Sequence, residues 1–306
     1  MKSTQSLIHF LDKLIDYAGL FPPAKLAIEP SLNNYSTYIQ SPDSWIMSQF
    51  IIPVSRLKEI PTDVMESYSE NNPLRLSLIS ADICSEIDTV HQFLDEYGDS
   101  TCFTGYESRI SDLPAFSQTL LDVHQLCKSQ NLNFDSFYEV SPHDNWVNQM
   151  NEAVSKISAF NTEYKTKVGF KLRCGGVEAH MFPSAEDIAS AVLACRDADV
   201  SMKFTAGLHH PIRHYNESVK TKMYGFFNVF IGGMIAHKFD LDLAELVPIL
   251  LDENSDRFLF DENGLSWKKY SISNAEIVKY RQESFISYGS CSFNEPREDL
   301  QKLGLF

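Results

Sequence analysis

The sequence predicts an α/β protein of the (β/α)8, TIM-like barrel class, and three observations carry that expectation. Eight apolar segments, centred near residues 18, 49, 77, 104, 136, 169, 203 and 288, alternate with segments of helical period. That is the strand count and chain length of such a barrel. Two consecutive segments, Gly169 to Gly176 and Met202 to Pro211, flank a helix-like stretch from Pro183 to Asp199. Strand, helix and strand in this order form a βαβ unit with a parallel pair. No linker, low-complexity segment or charge block divides the 306 residues, so residues 1–306 read as a single domain. A doubly wound open sheet is the other arrangement of such elements, but its GxGxxG fingerprint is absent.

Taken in order, Ser6 to Ile15 reads as a helix with Leu7, Ile8, Leu11, Leu14 and Ile15 on one side. Tyr17 to Ala24 reads as a short strand ended by prolines. A helix over residues 30–40 leads to a strand from Ile46 to Pro53, and Leu74 to Ala81 is the next strand. Ser85 to Tyr97 keeps helical spacing through Ile87, Val90, Phe93 and Leu94. A strand over Thr101 to Glu107, a helix over 113–128, a strand over Asn133 to Val140 and a helix over 144–159 follow. The Pro183–Asp199 helix has Ser184 as N-cap and Asp187 as its acidic N3 residue, a capping-box variant. Beyond His214, helices are expected over Asn216–Lys238 and Leu241–Leu251. Phe258 to Tyr270 resembles a hairpin turning at Glu262-Asn263-Gly264, a small excursion outside the barrel. A helix over Ser273–Arg281, a last strand over Phe285–Ser292 and a closing helix over Asn294–Leu303 complete the chain.

Composition narrows the function. Hydrophobic residues make up 43% and aromatics 12%, ample for a large core. Against 41 acidic residues stand 26 basic ones, a formal charge of -15 that argues against nucleic-acid partners. The longest apolar run, Gly225 to Ala236, is too short to span a bilayer and contains Asn228. It reads as core, or as a helix interface of a homo-oligomer. The start of the chain leads into an amphipathic segment with Asp12 and Asp16, unlike a signal peptide. Six cysteines without a CxxC pair fit reduced thiols in a cytoplasmic protein.

The chemistry concentrates between Lys165 and His214. Side chains alternate along a strand, so Lys171 and Arg173 share one face while Phe170 and Leu172 share the other. Lys203 and Thr205 likewise oppose Met202 and Phe204. Parallel strands are normally apolar on both faces, and three inward cations require a reason. Ion pairing with Glu107 and Glu139 is one reason, and an active site at the C-terminal mouth of the barrel is the other. On the second reading Lys203, Lys171, Glu139 and His209 are the candidate catalytic residues. A lysine among apolar and cationic neighbours has its neutral amine favoured, as an imine-forming nucleophile requires. Arg173, Thr205, Gly207, His210 and Ser290 are candidate substrate contacts, together with the backbone N–H groups of Gly175 and Gly176. Cys174 and Cys291 lack an evident paired base and read as buried thiols. The implied ligand is a small anionic carbonyl compound, handled by a lyase or isomerase without a cofactor. Mg²⁺ held by Glu107 and Glu139, with lysine as base, is the alternative. A barrel that binds or assembles without catalysis is a third reading.

The segments KLRCGG and KFTAGL resemble the two lysine-bearing strands of deoxyribose-phosphate-type class I aldolases. In that family one strand ends in Lys-Thr-Ser-Thr-Gly and the next in Lys-Ala-Ser-Gly-Gly. Here the Gly-Gly motif, at Lys171, precedes the Lys-x-Thr-x-Gly motif, at Lys203, and Arg173 replaces a small residue. The resemblance covers about 20 residues and implies a metal-independent lysine site in a barrel. KLRCGG, KFTAGLHHP and GSCSFNEP together are similar to a group of uncharacterised bacterial proteins, a likeness that implies no particular activity.

Overall fold

Short stretches of β-branched, aromatic and leucine residues supply the strands, and eight of them close into a parallel barrel in the computed structural model, which describes residues 3–141 and 145–306. The strands are Ile15–Tyr17, Met47–Pro53, Leu74–Ile79, Thr101–Arg109, Asp135–Glu139, Gly169–Arg173, Met202–Thr205 and Phe285–Ser290. Each pairs with its sequence neighbours, and the seam closes where Ile15, Asp16 and Tyr17 meet Tyr288, Gly289 and Ser290. No helix among the described residues is long and apolar enough to cross a membrane.

Outward strand residues build the core against the helices. Phe170, Leu172, Met202 and Phe204 are all buried, and the Phe204 ring lies 4.9 Å from that of Phe230. Phe230 belongs to the helix Phe226–Phe239, which is buried on every side from Phe226 to Ala236. A helix that is apolar all round must be covered all round. Beyond the barrel strands and the helix Ala185–Asp197, three elements cover it: the helix Leu243–Leu250, the N-terminal helix Gln5–Leu11, and a sheet of Phe258–Phe260, Gly264–Trp267 and Tyr270–Ser273. The rings of Phe10 and Phe227 sit 5.5 Å apart and those of Phe10 and Phe260 5.6 Å apart, both edge to face. The Gly225–Ala236 run is therefore core. The excursion expected at 258–270 gains a third strand and packs on the helices Gln5–Leu11 and Phe226–Phe239.

Local signals account for several helix ends. Ser184 and Asp187 form a reciprocal capping box on Ala185–Asp197, and Asp242 with Glu245 and Ser273 with Glu276 do the same for the two later helices. The expected helix start at residue 144 lies outside the described residues, and the helix runs Trp146–Tyr164.

Two expectations fail. The first helix stops at Leu11, because Lys13 takes a left-handed φ of 47°, and the first strand is Ile15–Tyr17 rather than a segment centred on residue 18. Arg281 pins this corner, its Nε donating to Phe10 O at 2.9 Å and its Nη2 to Asp12 O at 3.0 Å. Residues 216–225 are not helical. His214–Asn216 and Thr221–Met223 form a hairpin instead, and the helix begins at Phe226. The Asn216 side chain accepts the Ser218 N–H at 2.9 Å, a local bond that competes with helix, and Lys220 is left-handed.

Asn228 fixes this stretch. It is fully buried, accepts the Arg213 N–H at 2.8 Å and donates to the carbonyls of Ile249 and Asp252 at 2.9 and 2.8 Å. Replacing it with Ala removes all three bonds and leaves the Arg213 N–H and the Asp252 carbonyl without this partner, while Ile249 O keeps the Asp252 N–H at 3.3 Å. Asn228→Ala should cost about 1–3 kcal/mol in urea unfolding, the range for an unsatisfied buried group.

Candidate active site

Inward residues of the barrel are polar where apolar layers are usual. Asp16, Ser77, Glu107, Glu139, Lys171, Lys203 and Ser287 are all buried. They form a chain of alternating charge. Lys203 Nζ lies 2.8 Å from Asp16 Oδ2 and also contacts Glu107 Oε1. Lys171 Nζ lies 2.8 Å from Glu107 Oε2 and 3.5 Å from Glu139 Oε2. Arg173 Nε donates to Glu139 Oε1 at 2.8 Å. Two hydroxyls complete the shell, Ser77 donating to Glu107 at 2.8 Å and Ser287 to Asp16 at 2.5 Å. Three carboxylates thus balance three cations. Strand register makes this possible, since Lys171 pairs with Lys203 across strands six and seven.

The chain sets the protonation states. Burial opposes ionisation of Glu107, but the ammonium groups of Lys171 and Lys203 hold its carboxyl far below the usual range. Burial favours the neutral form of Lys203, yet Asp16 and Glu107 outweigh it and raise the amine above its ordinary value. The expectation of a neutral Lys203 amine is thus overturned. Its neighbours are carboxylates, not cations and apolar groups alone.

A cavity of about 490 Å³ opens at the C-terminal mouth. Glu107, Glu139, Lys171 and Arg173 form its buried end. Thr205, Gly207, His209 and Cys291 line one side, and Ser108 and Arg109 another. Ile51, Ile79, Phe21, Val177 and Met181 supply apolar wall. Lys203 lies outside this lining. Among the described residues only the Nε of Arg173 is engaged, which leaves the rest of its guanidinium fork for a ligand. Glu139 Oε2 is buried and, apart from Lys171 Nζ at 3.5 Å, has no hydrogen-bond partner among the described residues.

Two adjacent loops shape the rim. Gly207 has φ +73°, and a Cβ there would sit 2.8 Å from the Cys174 carbonyl oxygen. Gly175 packs its backbone onto Gly207, so its place is explained by close approach, while Gly176 lines the cavity. The histidines separate. His209 faces the cavity, with Nδ1 3.4 Å from Glu295 Oε2 and 4.0 Å from Cys291 Sγ. Burial disfavours its charge, but Cys291 and Glu295 raise it to about 9. His210 turns away onto Asp299 and lines no part of the cavity. Ser290 also misses it, its hydroxyl donating to the Ser292 carbonyl at 2.6 Å.

Of the expected residues, the structure brings together Lys171, Arg173, Glu139, Thr205, Gly176, Gly207 and His209 around the cavity, with Gly175 behind them. Lys203 lies beneath, and His210 and Ser290 lie outside. The proposed Mg²⁺ ligands Glu107 and Glu139 are both engaged by Lys171, and no cluster of three or more His, Cys, Asp or Glu among the described residues is arranged to hold a metal. Sequence reasoning missed Asp16 as the partner of Lys203, Arg109 in the lining, and His209 as the base beside Cys291. Asp16 carried a signal, a carboxylate at a buried strand position.

No protein-family model matches the chain, and no curated protein is similar to it. Among solved structures, a candidate alpha-L-fucosidase from Bacteroides thetaiotaomicron aligns at 11% identity and a TM-score of 0.41, covering 69% of this chain and 78% of that one. The likeness is too distant to transfer a substrate.

The charge chain has a pH signature. Glu107 is depressed, so its stabilisation is present above the unfolded carboxylate pKa and lost as pH falls. Lys203 is raised, so its share persists up to the unfolded lysine value and is lost only above it. At pH 7 the isosteric Glu107→Gln should cost about 3–5 kcal/mol in denaturant unfolding, because two buried ammonium groups lose a partner. At pH 3 that gap should narrow by about 1–2 kcal/mol as the wild type loses the same stabilisation.

Proposed function

We propose that the chain is an enzyme that binds a small anionic carbonyl compound and moves a proton next to its carbonyl, as a lyase or isomerase does. The observation that supports this most is the composition of the cavity. Four cationic side chains, Lys171, Arg173, Arg109 and His209, line it against two carboxylates already committed to ion pairs. The unengaged part of the Arg173 fork suits a carboxylate or phosphate. Lys171, held rigidly between Glu107 and Glu139, provides a fixed positive charge for enolate-like oxygen. Glu139 Oε2, buried, 3.5 Å from Lys171 Nζ and without a hydrogen bond among the described residues, is the candidate base, and His209 the candidate acid. Lys203 serves beneath them as a positioning residue, holding Glu107 and through it Lys171. An imine at Lys203 is not part of this reading, since its amine is kept charged.

The test is calorimetric titration with 2-oxo acids and sugar phosphates, followed by solvent-deuterium exchange at the carbon beside the carbonyl. Arg173→Lys keeps the charge facing Glu139 and loses the fork, so it should weaken anion binding about tenfold with little loss of stability. Glu139→Gln should slow exchange about 100-fold or more. Failure of every such anion to bind, or binding unchanged in Arg173→Lys, would sink the proposal.

A further inference from the structure

The thiol of Cys291 has a partner that its sequence position hides. Cys291 follows the eighth strand and His209 the seventh, and both line the cavity. Sγ lies 4.0 Å from His209 Nδ1, and the same nitrogen lies 3.4 Å from Glu295 Oε2, in the helix Asn294–Lys302. We propose that Cys291 is a nucleophilic thiol, activated by His209, that adds reversibly to the carbonyl carbon of an anionic aldehyde bound in the cavity. The choice of ligand rests on the function proposed above, whereas the activation of the thiol rests on this geometry alone.

The other cysteines lack such a setting. Cys174 and Cys195 are fully buried, and burial pushes both thiols far up. Burial also raises Cys84, and Cys127 to about 11. None of the other five lines the cavity. A thiolate is the nucleophilic form of cysteine, and an adjacent imidazolium favours it. The groups facing His209 are Cys291 and Glu295, which together keep the ring protonated against the cost of its burial. A second feature of the same cavity points to a ligand, the buried Glu139 Oε2, which has Lys171 Nζ at 3.5 Å but no hydrogen bond among the described residues.

The step balances without an oxidant. The thiol proton resides on His209, and the Sγ lone pair forms a bond to the carbonyl carbon. The π pair of the C=O moves to oxygen, which takes the proton back from His209. The product is a neutral thiohemiacetal and a neutral imidazole, and nothing leaves. The unengaged Arg173 fork holds the anionic group of the same molecule.

Alkylation by iodoacetamide, followed residue by residue by peptide mass spectrometry from pH 5 to 10, reads the thiol directly. Cys291 should react at pH 7 at least tenfold faster than any other cysteine. His209→Gln should cut the Cys291 rate at pH 7 about tenfold and leave the other cysteines unchanged. Cys291→Ala should weaken glyoxylate, which carries both aldehyde and carboxylate, at least tenfold. It should leave oxamate, an anion without the electrophile, unchanged. A Cys291 rate at pH 7 no faster than that of the other cysteines, or one that His209→Gln does not change, would overturn the activation, whatever ligand the cavity takes. An activated thiol with equal glyoxylate affinity in Cys291→Ala would overturn the carbonyl adduct alone. Should no anion bind while the thiol is still activated, the functional reading fails and the nucleophile stands.

Discussion

The barrel depends on one interaction, the chain of charge running from Asp16 through Lys203, Glu107, Lys171 and Glu139 to Arg173. Burying even one unpaired ion costs several kcal/mol, so each member is tenable only because its neighbours carry the opposite sign. The chain draws its side chains from strands one, four, five, six and seven, and therefore requires the barrel to be closed before it can form. It also orders the mouth above it. Lys171 and Arg173 are presented to the cavity at fixed positions because Glu107 and Glu139 hold them from behind.

Strand and helix alternation made the barrel readable from the sequence, because parallel strands are short apolar runs and capping residues mark helix starts. Ser184 with Asp187 is such a case. What failed was local. Residues 216–225 carry a polar stretch whose Asn216 turn and left-handed Lys220 outweigh the helical pattern that follows. Lys171 and Arg173 could be placed on the inner face by alternation alone, and their pairing with Glu107 and Glu139 was one of two open readings. Lys203 was misjudged for a definite reason. Its partners, Asp16 and Glu107, lie 187 and 96 positions away, and no periodicity reports which carboxylates a closed barrel brings to one lysine. The same holds for Cys291 and His209, which meet only because strands seven and eight are neighbours.

The two lysines, equivalent in sequence pattern, are unequal in space. Lys203 is enclosed below the cavity and kept charged, whereas Lys171 reaches the lining. Depth in the barrel separates their roles: the deeper lysine supports a carboxylate, and the shallower one faces the cavity. The same depth argument separates His209 from His210, which share a loop but end on different partners. The proposed chemistry is thereby confined to a short arc of the mouth, from Glu139 across Arg173 and Lys171 to His209 and Cys291.

A crystal structure at saturating pyruvate tests the central claim most directly. The account predicts the anion in the cavity, its carboxylate within about 3 Å of the terminal nitrogens of Arg173, with Lys171 still between Glu107 and Glu139. An anion ordered elsewhere on the molecule, with the cavity holding only water, would contradict it.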